Sequence, residues 1–252
     1  MLEARLNPAI TLKKLLDAVK DLVVDVNFDC NSTGISLQAM DSAHVALIVL
    51  LLRQTGFEHY RCDRSINLGM SLVSLGKILR SVGPDDVLTL QAEDKGDVLS
   101  LLFENSKNDR VSEYNLKLMD IDSDHLGVPD TEYDATIEIS SNELKRICTD
   151  LSNLSESVTV SITKEGVQFS AEGEIGQGSV MIKNGSGGSI DEKDEADQCT
   201  ITCDKPVSVV LSLKYLLNFC KASPLSPKVI LGISEDIPMM IEFKVNELGY
   251  IR

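Results

Sequence analysis

Three histidines, at positions 44, 59 and 125, stand far apart in a chain of 252 residues. Nucleophilic catalysis needs a nucleophile, a base and an orienting acid within hydrogen-bond reach. No Ser/His/Asp signature of that kind is recognisable, so no catalytic residue is assigned. Asp120-x-Asp122-x-Asp124 opens like a calcium loop, which needs glycine sixth and glutamate twelfth. His125 and Thr131 stand there instead, so no metal ligand is assigned. Gly173-Glu-Ile-Gly-Gln-Gly178 has its glycines in the wrong order for a dinucleotide fingerprint and reads as a strand with a bend. The cysteines at 30, 62, 148, 199, 203 and 220 form no CxxC pair and suit reduced structural thiols in a reducing compartment. No cofactor is expected.

The chemistry that does emerge is electrostatic. Four stretches have helical apolar spacing, at 12–22, 71–81, 143–154 and 211–221. Together they carry +5, while the whole chain carries −15, so everything else sums to −20. Their basic residues lie off the apolar stripes and are expected to face solvent. If the four line one surface, that surface is a local positive track for phosphates in an otherwise acidic protein. Backbone contact without base readout is the mode this favours.

The helices that must position those charges come in a repeat. Leu12, Leu15, Leu16, Val19 and Leu22 recur as Leu144, Ile147, Cys148, Leu151 and Leu154, each 132 residues on. The turn glycines Gly34 and Gly166 are also 132 apart. The second helices, with stripes at Leu72, Leu75, Ile78, Leu79 and at Leu213, Leu216, Leu217, Cys220, are about 141 apart. A duplicated domain explains this pattern. Runs of strands with two short helices per half give an α+β class with two similar domains of antiparallel sheet. We expect domains at 1–117 and 135–252, joined by a connector at 118–134. That connector is acidic and broken by Gly127 and Pro129, yet it holds the apolar group Leu126, Val128, Pro129. The run Val45–Leu52 is too short to span a bilayer and reads as a buried strand, so no membrane contact is expected. No charged-then-apolar leader opens the sequence, so secretion is not expected. Residues 184–197 are Gly/Ser-rich, then acidic, and read as a mobile hairpin loop.

Longer motifs carry a resemblance. Gly34-Ile-Ser-Leu-Gln-Ala-Met-Asp-Ser-Ala-His-Val-Ala-Leu47 and Tyr60-Arg-Cys-Asp-Arg64 resemble the two signatures of the proliferating cell nuclear antigen family, the eukaryotic sliding clamps. Lys117-Leu-Met-Asp120 and Leu126-Gly-Val-Pro129 resemble that family's interdomain connector. The likeness runs from Met1 to Arg252 and suits a fungal or other non-animal source.

The resemblance implies a non-enzymatic ring of three identical chains encircling duplex DNA without reading sequence. It implies action in the nucleus as a processivity factor and a platform for repair. It implies a DNA-facing set of Lys13, Lys14, Lys20, Arg61, Arg64, Lys77, Arg80, Arg146, Lys214 and Lys221. It implies subunit contacts through Arg110, Tyr114, Leu151, Leu154, Gly178, Val180 and Ile182. It implies a partner pocket of Met40, His44, Val45, Leu47, Leu126, Val128, Pro129, Pro238 and Met239. Its partners would be DNA polymerase delta, a clamp loader, a flap endonuclease, DNA ligase and other proteins with a glutamine-aliphatic-aromatic-aromatic motif. Lys164 matches the family's ubiquitin and SUMO acceptor. The family continues past the last strand into a tail, whereas this sequence ends at Arg252. Two other readings stand beside this one: a checkpoint-type subunit of a hetero-ring, and an acidic homo-oligomeric scaffold that never touches DNA.

Overall fold

The computed structural model describes residues 1–105, 107, 109–122, 131–185 and 198–252. They fall into two units, Met1–Gly127 with Val245–Arg252, and Val128–Lys244. The apolar group at 126–129, His125, and the loop residues 186–197 lie outside the described residues.

In the first unit, β1 (Leu2–Leu6) buries Leu2, Ala4 and Leu6 and leaves Glu3 and Arg5 half-exposed. That period of two puts one face on a core. Next come α1 (Ile10–Val19), β2 (Asp25–Asn31), β3 (Gly34–Met40), β4 (Leu47–Arg53), β5 (His59–Cys62) and β6 (Ile66–Ser71). Then follow α2 (Leu72–Leu79), β7 (Val87–Ala92), β8 (Val98–Asn105) and β9 (Arg110–Lys117). One antiparallel ladder runs β5-β1-β7-β8-β9. The other runs β4-β3-β2-β6, and the last strand of the chain, Gly249–Ile251, pairs along the outer side of β4. Helix α1 buries Leu12, Leu15, Leu16, Ala18 and Val19, and α2 buries Leu72, Leu75 and Leu79. The helices pack together at Gly76, where Leu16 Cδ2 lies 3.5 Å from the place a Cβ would take.

The second unit repeats the order. It has β10 (Ala135–Ser140), α3 (Ser141–Ser152), β11 (Ser157–Ile162), β12 (Gly166–Gly173), β13 (Gly176–Lys183), β14 (Thr200–Cys203) and β15 (Val207–Ser212). These lead to α4 (Leu213–Phe219), β16 (Lys228–Ile233) and β17 (Met240–Val245); the last strand is β18. Its ladders are β14-β10-β16-β17 and β13-β12-β11-β15. The two halves share register as well as order. Gly34 pairs with Arg53 as Gly166 pairs with Lys183, and Asp25 pairs with Ser71 as Ser157 pairs with Ser212. The fold is α+β with two similar domains, as the periodicity predicts.

Several details differ from the sequence reading. Helix α1 ends at Val19, because a turn follows in which Lys20 N–H bonds Leu16 O and Leu22 N–H bonds Val19 O. Helix α4 stops at Phe219 and passes into a 3-10 turn, Cys220–Leu225, that contains Pro224. Strand β6 is short, holds Gly69, and runs straight into α2. The Gly173–Gly178 bend is a hairpin turn between β12 and β13. The run Val45–Leu52 is not buried on both faces: Ile48, Leu50 and Leu52 are buried, while Leu47, Val49 and Leu51 are half-exposed.

Asp86 fastens the first unit at one corner. Its carboxylate accepts Gly83 N–H at 2.8 Å and Asn105 Nδ2 at 2.7 Å, and its carbonyl accepts Ala9 N–H at 2.8 Å. The Gly83 amide, then the Asn105 amide, hold its pKa below the ordinary value. A depressed native pKa stabilises the fold above the unfolded value, and the effect fades as pH falls through the native one. Asp86→Ala should therefore destabilise by about 1–2 kcal/mol at pH 7. Denaturant unfolding at pH 7 and pH 3 should show the gap to the parent protein shrinking in acid; an equal gap at both would contradict this role.

Candidate functional site

The four helices turn basic side chains outward. On α1, Lys14 is exposed and Lys13 half-exposed, and Lys20 at the C-cap pairs with Asp17 at 2.6 Å. On α2, Lys77 and Arg80 are exposed, four and seven residues beyond exposed Val73. These spacings put all three on one face. On α3, Lys145 and Arg146 are exposed, with Arg146 3.9 Å from Asp150. On α4 and its end, Lys214 and Lys221 are exposed, and Lys221 Nζ donates to Asn218 Oδ1 at 2.8 Å. Among the described residues no carboxylate pairs with Lys13, Lys77, Arg80 or Lys214. These contacts are solvent-exposed and yield readily to a competing phosphate. Tyr215 and Phe219 stand between Lys214 and Lys221, but they are half-buried and pack on each other with centroids 6.1 Å apart. Arg61 and Arg64 lie outside the helices. Arg61 is held by Asp63 through a bidentate contact at 2.8 and 3.2 Å, which also lowers the Asp63 pKa.

A second surface forms where β3 turns into β4. Asp41 is 6% exposed, and its carboxylate accepts N–H bonds from Val45 and Ala46 at 2.8 Å and from Ala43 at 3.3 Å. His44 sits at φ 56, a left-handed conformation that only a tightly determined loop holds. This scaffold lifts Val45 into solvent at 69% exposure, beside half-exposed Met40 and Leu47. The apolar face continues along β4 through Val49 and Leu51. Tyr250 stands opposite Leu51, with the Arg53 and Arg252 guanidiniums 5.9 and 4.5 Å from its ring centroid. Sequence reasoning missed Val49, Leu51 and Tyr250; the period of two in the apolar run was the available signal. In the second unit Pro238 is exposed and Met239 half-exposed.

A third feature is two long strands, each with one neighbour among the described residues. Strand β9 pairs on one side with β8, and β13 on one side with β12. Both are eight residues long, and both expose a large apolar side chain, Val111 at 65% and Met181 at 54%. Arg110 opens β9 in solvent, and Tyr114 meets Phe103 edge-on at 5.8 Å. On β13, Val180 and Ile182 are half-exposed. Gly178 makes room for the end of α3: a Cβ there would lie 2.7 Å from Leu154 Cδ1 and 3.7 Å from Leu151 Cδ2. Val180, Ile182, Gly178, Leu151 and Leu154 thus gather on one end of the second unit, and Arg110 with Tyr114 on β9 of the first. Lys164 is exposed in the turn from β11 to β12.

Comparison with known proteins covers the whole chain. The family model described as proliferating cell nuclear antigen, N-terminal domain, matches residues 1–126, and the C-terminal domain model matches residues 127–252. A relative from Chaetomium thermophilum named proliferating cell nuclear antigen is 54% identical over 252 residues, covering 100% of this chain and 96% of its own. One of the same name from Dictyostelium discoideum is 50% identical over 253 residues, again 100% and 96%.

Asp41 generates a direct expectation. Removing its carboxylate strands the buried amide of Ala46 and the part-buried amide of Val45, so Asp41→Ala should destabilise by about 1–3 kcal/mol. Hydrogen exchange at Val45 and Ala46 should accelerate first; unchanged protection there would contradict the scaffold.

Proposed function

The chain belongs to the proliferating cell nuclear antigen family, the DNA sliding clamps, and from that premise we propose how its surfaces divide the work. It is a processivity factor and a platform for replication and repair proteins, not an enzyme. The helices α1 to α4 form the DNA track. Lys13, Lys14, Lys20, Lys77, Arg80, Arg146, Lys214 and Lys221 touch phosphates weakly and without base readout. Arg61 and Arg64 contribute less, since Arg61 is already occupied by Asp63. A clamp must hold DNA yet slide. Modest charge on four helices, with retention supplied by topology, meets both demands.

The observation that carries the ring is the state of equivalent strands. By chain order β18 is the counterpart of β9, and β4 the counterpart of β13. Strand β18 pairs with β4, whereas β9 and β13 each lack a second neighbour among the described residues. Supplying β9 of one copy to β13 of the next repeats the ladder in trans. Such a contact is head-to-tail, and it closes into a ring when the rotation permits. Arg110, Tyr114, Leu151, Leu154, Gly178, Val180 and Ile182 would form it, and three copies would close it. An identical-chain ring needs no second subunit type, which disfavours a hetero-ring, and the basic helices disfavour a scaffold indifferent to DNA.

Partners dock on the apolar surface of Met40, His44, Val45 and Leu47, with the connector supplying Leu126, Val128 and Pro129. Pro238 and Met239 are carried over from the family as further partner contacts. DNA polymerase delta, the clamp loader, a flap endonuclease and DNA ligase are the expected users, through a glutamine-aliphatic-aromatic-aromatic motif. Two aromatics burying roughly 150–250 Å² each give about 8–12 kcal/mol gross. Ordering the tail offsets much of that, leaving affinity near ~1 μM. Exposed Lys164 would accept ubiquitin or SUMO, and the site of action would be the nucleus. The working division is 1–117, 118–134 and 135–252.

The test is retention on DNA. Loaded clamp should stay on circular duplex and run off linear duplex at moderate salt; equal loss from both would sink the reading. Reversing Lys77 and Arg80 to glutamate should reduce loading several-fold with assembly intact, as electrophoretic shift and sizing would show. Tyr114→Ala should give monomers at low micromolar concentration, measured by sedimentation; an unaltered assembly would reject that contact.

A further inference from the structure

The entry to the connector is held by two residues that break the internal repeat. Asn27 in β2 pairs with Gly69 in β6. The corresponding pair in the second half is Thr159 with Val210. Threonine and valine suit a strand, while mid-strand asparagine and glycine weaken one. Something must compensate in the first half. Asn27 is 7% exposed, and its Nδ2 donates to the Ile121 carbonyl at 2.8 Å. A Cβ on Gly69 would stand 2.1 Å from the Met119 carbonyl oxygen and 2.9 Å from Asn27 Oδ1. Met119 N–H donates to the Gly69 carbonyl at 2.9 Å, and Leu118 N–H to the Asp97 carbonyl at 2.8 Å. The chain from Leu118 to Ile121 therefore passes in contact with this pair. Val210, at Gly69's counterpart position, is 69% exposed.

We infer that Asn27, with Gly69 clearing the space, is a positioning residue for partner binding: it fixes the path of Leu118–Ile121 where the chain enters the connector. This rests on the reading of residues 118–134 as a partner-binding connector. A connector whose entry is fixed has less freedom to lose when a peptide docks, so binding is tighter than to a loose one. Strand β6 also runs directly into α2, so the strand that holds the connector entry also leads into the helix carrying Lys77 and Arg80.

The test uses the full chain and a fluorescein-labelled synthetic peptide carrying the glutamine-aliphatic-aromatic-aromatic motif. Its affinity is measured by anisotropy for the parent, Asn27→Ala, Asn27→Asp and Gly69→Ala. Asn27→Asp keeps the shape but, when ionised, donates no hydrogen bond. Binding should weaken about ten-fold in each variant. Hydrogen exchange at 118–122 should accelerate, while assembly mass and retention on circular DNA stay unchanged. A purely structural role would lower stability without this split. Peptide affinity within about two-fold of the parent in folded variants would overturn the positioning role. So would unchanged exchange at 118–122. If both Asn27 variants fail to fold, Gly69→Ala on the neighbouring strand decides by the same readouts. Failure of the parent to bind the peptide would overturn the partner reading itself, and exchange at 118–122 would then decide whether Asn27 fixes the segment.

Discussion

A sheet edge is a row of backbone N–H and C=O groups waiting for partners, and β9 and β13 are the longest of the edge strands among the described residues. Strands β9 and β13 are each eight residues long and each has one neighbour among the described residues. Proteins that stay monomeric blunt such edges with charge, bulges or proline. Here β9 does carry exposed Arg110, Glu113 and Lys117, yet both edges also present a large apolar side chain, Val111 and Met181, and Gly178 lets Leu151 and Leu154 approach the second one. The repeat explains why. The β4 edge is satisfied by β18, and in the proposed assembly a second copy would satisfy the same chemistry at β13.

Charge follows from that architecture. A ring around DNA needs a basic lining but must not grip. The acidic body, at −15 overall, leaves the four helices as local positive ground. Several of their cations are already engaged locally, as Lys20 is by Asp17 and Arg146 by Asp150. Such exposed pairs are weak, so phosphates compete for them easily and release them easily. The proposed partner surface lies elsewhere, on apolar side chains raised by the Asp41 loop, and shares no residue with the proposed DNA-facing set.

Much of this was legible from side-chain spacing. The stripes at Leu12–Val19 and Leu144–Leu151 gave two helices and their repeat, because burial of one helical face forces that period. Helix ends were less legible. The stop at Val19 is made by backbone turns, and the stop at Phe219 by the geometry leading to Pro224, neither of which shows in apolar spacing. The Val45–Leu52 run misled because an all-apolar stretch looks buried on both faces. Its second face is apolar for a surface reason, continuing from Leu47 to Leu51 beside Tyr250. Asn27 and Gly69 were invisible for a different reason: their value lies in what crosses over them, and only register against Thr159 and Val210 makes them stand out. The proposed interface residues, Tyr114 included, were carried by family likeness rather than by pattern, since unpaired backbone leaves no mark on sequence.

Edge pairing in trans is the claim on which ring, track and platform all rest. The most direct measurement is the absolute mass of the unmodified chain by light scattering across a dilution series. The account predicts a species of three times the 27.5 kDa chain mass that persists to low micromolar concentration. A species of 27.5 kDa throughout would contradict it, leaving β9 and β13 as open edges with no partner in solution.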